Sequence, residues 1–182
     1  MNTYRFTPAL TLLAALLLPA GMAHAEDTVD LGTKVPDAKT VKEGLFPEDT
    51  CKELEAAGFK CMGFKPAVRF SLPAASFQRG SAELPGELKA QLDSFASVLK
   101  EKRGTEYKIV IVGHTDATGS DTLNDKLSRQ RAAAVKAYLV QNGVDPSMLD
   151  AAGVGARDLK NPSDPDGGEN RRVEIGRKNP NQ

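Results

Sequence analysis

The sequence predicts an α+β domain of two layers, a mixed sheet covered by helices on one face. Three observations predict it. Ile109-Val110-Ile111-Val112 is a β-branched run that suits a central strand. Apolar residues fall at helical spacing on both sides of it: Leu88, Leu92, Phe95, Ala96 and Leu99 before, and a long segment from about Asp121 to Gln141 after. Near the end, Val173 and Ile175 alternate with charged residues, the period of a strand with one buried face. A strand at Val68, Phe70 and Leu72 and a short one near Ala151 to Gly155 complete the order β-α-β-α-β-β.

In chain order, residues 1–25 read as an export signal. Arg5 precedes an apolar stretch from Ala9 to Ala20, and Ala23-His24-Ala25 is the small-x-small pattern of a cleavage site. No cysteine follows that site, so no lipid is expected there. No later stretch approaches the roughly 20 apolar residues that a membrane span requires. Glu26 to about Lys42 is polar without a sustained apolar period, and a flexible arm is expected. Thr50-Cys51-Lys52-Glu53 has capping-box spacing and Gly58 supplies a stop, which predicts a short helix. Cys51 and Cys61 in an exported chain predict one disulfide, with free or redox-active thiols as the alternative. Residues 26–66 therefore read as an arm and a stapled helix that packs on a main domain at 67–178.

Within that domain, Pro73 predicts an edge position or a bulge for the first strand. Pro85 suits a helix's first turn and Gly104 ends that helix. The long helix is expected to turn Leu123, Leu127, Val135, Tyr138 and Leu139 inward and to stop at Gly143. Asn161 to Asn170 is turn-rich, the last strand is Arg171 to Arg177, and residues after Lys178 are expected to fray.

Composition narrows the function. The chain has 24 basic and 24 acidic side chains, no Trp and 5% aromatic residues. A balanced charge offers no basic stripe for a phosphate backbone, and scarce aromatics offer no stacking platform, so no nucleic acid is expected. His114 is the single histidine beyond the export signal, and no Ser-centred elbow accompanies it. Neither a metal, a cofactor nor a catalytic group is therefore expected. Asp164-Pro165-Asp166-Gly167 lacks the ligand spacing of a calcium loop and reads as a turn. Gly153-Val154-Gly155 has no helix behind it and reads as a strand-end glycine pair.

The stretch with the most chemistry is Gly113-His114-Thr115-Asp116-Ala117-Thr118-Gly119-Ser120, followed by Asn124-Asp125-Lys126-Leu127-Ser128-Arg129-Gln130-Arg131-Ala132. It sets a carboxylate in the loop after a strand and a guanidinium on the following helix. A small zwitterion would meet a charge-assisted bond at each end, and the planar fork of Arg matches a carboxylate. The helix start adds backbone N–H donors for an anionic group. The alternative is a salt bridge between Asp116 and Arg131 that only braces the helix.

These residues resemble the OmpA-like C-terminal domain family, a peptidoglycan-binding module. Phe77-Gln78-Arg79-Gly80-Ser81-Ala82-Glu83-Leu84, the two stretches above, Val135-x-x-Tyr138-Leu139, Gly143-Val144, Gly153-Val154-Gly155 and Asn170-Arg171-Arg172-Val173-Glu174-Ile175 carry the resemblance, over about residues 68 to 177. It implies non-covalent capture of the peptide stem through its diaminopimelate residue. By position, Asp116 would take the ligand's ammonium and Arg131 its carboxylate. Thr115, Asn124 and Leu127 would line the groove, and Arg171 would approach from the last strand. The chain departs from the family at Gly80, which has no polar side chain where some members do, and in the shortness of the 161–170 loop. The expected protein is a non-catalytic periplasmic binder of the cell wall, peripheral to the outer membrane. The alternative is an adaptor whose N-terminal appendage docks on an envelope partner.

Overall fold

The computed structural model describes residues 27–63, 66–73 and 77–178, so the expected export signal lies outside the described residues. Five strands and four helices follow one another as β1 (Thr28–Asp30), α1 (Ala38–Leu45), α2 (Pro47–Ala56), β2 (Arg69–Pro73), α3 (Gly86–Glu101), β3 (Ile109–Gly113), α4 (Asp121–Gln141), β4 (Leu149–Gly153) and β5 (Arg172–Arg177). The sheet runs β1-β2-β5-β3-β4. It is mixed: β5 lies antiparallel between β2 and β3, while β1 and β4 join the two edges in parallel. This is the predicted α+β class. No helix among the described residues is long and apolar enough to cross a membrane.

Strand alternation builds the two sides of the sheet. Phe70, Leu72, Ile109, Ile111, Val173 and Ile175 join one continuous core with Leu88, Leu92, Phe95 and Leu99 of α3 and Val135 and Leu139 of α4. The intervening residues of β2 and β5 carry polar groups on the opposite side, with Arg172 and Glu174 buried as an ion pair. An apolar face under helices and a polar face opposite is the usual economy of an antiparallel centre.

Helix α4 spans the residues the sequence predicts. Ser120 caps it by accepting from the Leu123 N–H at 3.4 Å, and Gly143, with φ of 93°, turns the chain away after it. Two of its expected inward residues behave otherwise. Leu123 is 64% exposed and Leu127 half-buried, because this first turn overhangs the end of β3 rather than the core.

The N-terminal segment differs from the expected arm. Residues 28–30 pair with 69–71, and α1 is capped by Asp37, whose carboxylate accepts from the Thr40 N–H at 2.7 Å. Val41, Leu45 and Phe46 are fully buried in the common core. Val41 and Leu45 stand at i and i+4 on one face of this eight-residue helix, a single amphipathic pair in a polar segment, and the arm reading overlooked it. The added strand also changes the place of Pro73. β2 is interior rather than an edge, and Pro73 is its last residue, beyond the stretch that β1 pairs with. Its missing N–H therefore costs no bond to β1.

Helix α2 begins three residues before the expected capping box. Pro47 occupies its first turn, where the absent N–H is harmless, with Glu48 and Asp49 following. Cys51 and Cys61 form a disulfide with Cα atoms 5.6 Å apart, which ties the chain after Gly58 back to this helix.

Candidate functional site

The candidate site is built where three loops meet over the ends of β3 and β5. Helix α4 can sit against the sheet here because two strand residues lack side chains. A Cβ on Gly113 would strike the Ser128 carbonyl, and one on Gly153 would strike the Ser128–Arg129 backbone. The Ser128 hydroxyl then donates to the Asp125 carbonyl at 3.1 Å and accepts from the Gly155 N–H at 2.9 Å. The start of α4 is thereby locked to the loops that leave β3 and β4.

Backbone bonds set the 114–120 loop. His114 N–H donates to the Arg172 carbonyl at 2.9 Å, Thr115 N–H to Gly155 at 3.0 Å and Ala117 N–H to Pro165 at 2.9 Å. Asp116 is 5% exposed. One of its oxygens accepts from the Thr118 N–H at 3.1 Å and the other from Arg171 Nη1 at 2.8 Å. Arg171 is delivered by Asn170, a fully buried side chain that accepts from the Asn161 N–H at 2.8 Å and donates to the Asp164 and Pro165 carbonyls at 2.7 and 3.1 Å. A single amide thus folds the short 161–170 loop and aims the arginine that follows it.

Arg131 has no accessible surface. Its guanidinium donates to three backbone carbonyls, those of Ser81, His114 and Gln78, at 3.0, 3.3 and 3.5 Å, and stacks 4.9 Å from the Phe77 ring centre. Burial, helped by nearby Arg171 and opposed by Asp116, lowers its pKa to about 10, so it stays charged at neutral pH. The Asp116–Arg131 salt bridge weighed from the sequence is not the arrangement found: Asp116 is paired with Arg171. Three bonds to carbonyls leave two guanidinium N–H groups uncommitted among the described residues.

Thr115, Asp116, Asn124, Leu127, Arg131 and Arg171, the six residues singled out in the sequence, line one groove of about 180 Å³. Arg79, Gly80, Thr118 and Leu123 form its rim. Three buried polar atoms lack a partner among the described residues here: Thr115 Oγ1, Asn124 Nδ2 and Arg171 Nε. A native fold rarely leaves such groups unpaired, and three together suit a polar ligand. The groove therefore offers a carboxylate, guanidinium donors, an amide and a hydroxyl beside the apolar edge of Leu123 and Leu127.

Sequence reasoning missed the support beneath this groove. His114 is 1% exposed, with Nδ1 at 3.2 Å from the Asp158 carbonyl and Nε2 at 3.6 Å from Glu174. Arg172 Nε donates to Glu174 at 2.7 Å and its Nη1 to the Asp158 carbonyl at 3.1 Å. Burial alone would raise the Glu174 pKa, but His114 and Arg172 overrule it and hold the carboxyl at about 2. The alternation of Arg172 and Glu174 on one strand face was the available signal. His114 gave none, since its partners are 44 and 60 positions away in the chain.

A model of the OmpA family matches residues 76–172, more than half of the chain and all six of these positions. Outer membrane protein A of Serratia marcescens is 36% identical over 91 residues, 50% of this chain and 25% of that protein. The peptidoglycan-associated lipoprotein of Pseudomonas aeruginosa is 36% identical over 101 residues, 54% of this chain and 58% of that protein. The chain spans a quarter to somewhat over half the length of these curated relatives. Among solved structures, the peptidoglycan-associated lipoprotein of Burkholderia pseudomallei superposes with a TM-score of 0.52 at 25% identity, over 59% of this chain and 89% of that one. In sequence and in fold, the chain belongs to the OmpA family.

Proposed function

We propose that this protein binds peptidoglycan without chemistry, by capturing the diaminopimelate residue of a peptide stem, and so holds itself at the cell wall in the periplasm. The observation that supports the reading is the groove itself, where three buried polar atoms around an Asp–Arg pair have no partner among the described residues. In this reading Asp116, with lone pairs to spare beyond its two donors, takes the ligand's ammonium. The Arg131 guanidinium, buried beneath the groove, supplies the positive charge that answers its carboxylate, the Arg171 Nε–H and Asn124 amide add donors, and Thr115 Oγ1 accepts or donates as needed. The family match, and relatives named for their association with peptidoglycan, agree with it.

Titration of a diaminopimelate-containing stem peptide into the protein tests the reading, beside Asp116→Asn. Asn keeps an acceptor for the Thr118 N–H but loses the charge. Saturable binding that falls at least about tenfold in the variant is expected, the worth of a charge-assisted bond in a buried site. No binding by the folded wild type would sink the proposal. A second reading, an adaptor that docks on an envelope protein, rests on Leu54, Phe59 and Met62, which are 44, 66 and 88% exposed around the disulfide. It requires that Phe59→Ser with Met62→Ser abolish crosslinking to an envelope protein while peptide binding persists.

A further inference from the structure

The groove holds more positive charge than one zwitterion can answer. Its lining includes three guanidiniums, Arg79, Arg131 and Arg171, against the single carboxylate of Asp116. Asp116 and Arg171 neutralise each other at 2.8 Å. Arg131 rests on carbonyl dipoles, which solvate its charge without cancelling it. Arg79 is exposed and has no side-chain partner among the described residues. Two cations are therefore left over. An ammonium–carboxylate end group, taken by Asp116 and Arg131, adds no net charge and leaves Arg79 unanswered.

The backbone at Arg79 is nevertheless held in place. Ser81 N–H donates to the Gln78 carbonyl at 3.0 Å, so residues 78–81 form a turn, and Gly80 at its third position has φ of 72°. That is the pattern of a type II turn, which puts Arg79 at its second position. The carbonyls of the turn's first and last residues are two of the three that hold the Arg131 guanidinium. The turn is thus clamped to the buried arginine, and Arg79 stands at a fixed place on the rim. Space above Gly80 is open, with nothing within 4 Å of where a Cβ would lie. The glycine that departs from the family pattern leaves room for a peptide backbone to pass directly beside Arg79.

Resting on the peptidoglycan reading, we infer that Arg79 recognises a second carboxylate of the stem peptide, so the groove selects stems in which that carboxylate is free over stems in which it is amidated. The chemistry has two sources, the α-carboxylate of the glutamate before diaminopimelate or the C-terminal carboxylate of the alanine after it. An amide removes the charge and presents N–H groups to a residue that has only donors, so it is disfavoured on both counts.

The test is calorimetric titration of the full chain with three stem peptides: the free acid, the glutamate amide and the alanine amide. Each is run with wild type, Arg79→Gln and Arg79→Lys, at low and at high salt. The inference expects one amide to bind wild type about fivefold more weakly than the free acid, the range of a solvent-exposed charge pair. Arg79→Gln should bind the free acid and that amide equally, Arg79→Lys should keep most of the preference, and salt should erase it. Which amide is disfavoured identifies the source. If wild type binds all three alike, the inference is overturned and the peptidoglycan reading stands. If the preference survives in Arg79→Gln, another residue reads the carboxylate and the assignment to Arg79 fails. If the folded protein binds none of the three, the peptidoglycan reading itself falls and takes the inference with it.

Discussion

Arg131 shows how one side chain serves both fold and site. A guanidinium with no exposure, bonded to the carbonyls of Ser81, Gln78 and His114, joins the 78–81 turn to the loop after β3. Its removal strands three carbonyls and opens a cavity against Phe77. Arg131→Ala should therefore destabilise the protein by about 3 kcal/mol or more, a loss that chemical denaturation would read directly. Arg131→Lys should recover only part of it, since one ammonium cannot span three acceptors in a fixed fork. A melt unchanged in both variants would show that the carbonyls find other donors. Loss of ligand by Arg131→Ala alone thus says little about the groove, whereas Asp116→Asn is the cleaner probe. Glu174 gives a second expectation, about pH. Its carboxyl is near 4.5 when unfolded and about 2 in the fold. A depressed carboxyl stabilises fully above its unfolded value and loses that contribution as pH falls from about 4.5 towards 2. After screening, the contribution is on the order of 2 kcal/mol. Stability of the wild type should fall through this window, and Glu174→Gln should be less stable at neutral pH with a shallower acid slope. Equal slopes would mean that Glu174 does not titrate abnormally.

Helices α1 and α4 mark the limits of what the sequence made legible. The extent of α4 was readable because its signals are local, a long stretch of helical spacing closed by Gly143, whereas its Ser120 cap emerged only in the structure. The six groove residues were singled out largely through the resemblance of short motifs to a known family, and the structure brings them to one groove. α1 was overlooked. Its helical pattern is the single pair Val41 and Leu45 at i and i+4, and the surface it packs on lies downstream, where the Phe70 ring crosses Gly44 so closely that no Cβ would fit. Buried polar support was equally hidden, since Asn170, His114 and Glu174 look like surface residues until the loops close over them. Leu45 measures the worth of α1. Fully buried in the common core, it should cost about 2–4 kcal/mol as Leu45→Ala, seen as a lower thermal midpoint with peptide affinity unchanged in the remaining folded protein. A near-neutral result would show that α1 is peripheral to the fold after all.

At the scale of the molecule, the described residues share one core, so residues 27–178 are expected to unfold as a single body. Leu31, Val41, Leu45 and Phe46 belong to the same core cluster as Phe70, Phe95 and Leu99, and β1 covers the edge of β2. Burying four such side chains is worth on the order of 6–10 kcal/mol as an upper figure. A small domain has only about 5–15 kcal/mol of net stability, so their loss is not a local matter. A fragment beginning at Ala67 would also expose the backbone of β2 as an open edge, with Phe70 and Leu72 nearby, an invitation to aggregation. We expect residues 67–182 to be insoluble or to unfold without a sharp transition, whereas 27–182 melts cooperatively. Binding tests on the truncated form would then report a loss of fold, not a loss of site. Should the fragment instead melt sharply and keep its affinity for the stem peptide, the N-terminal segment would be separable. The exposed apolar residues around the disulfide would then carry its function on their own.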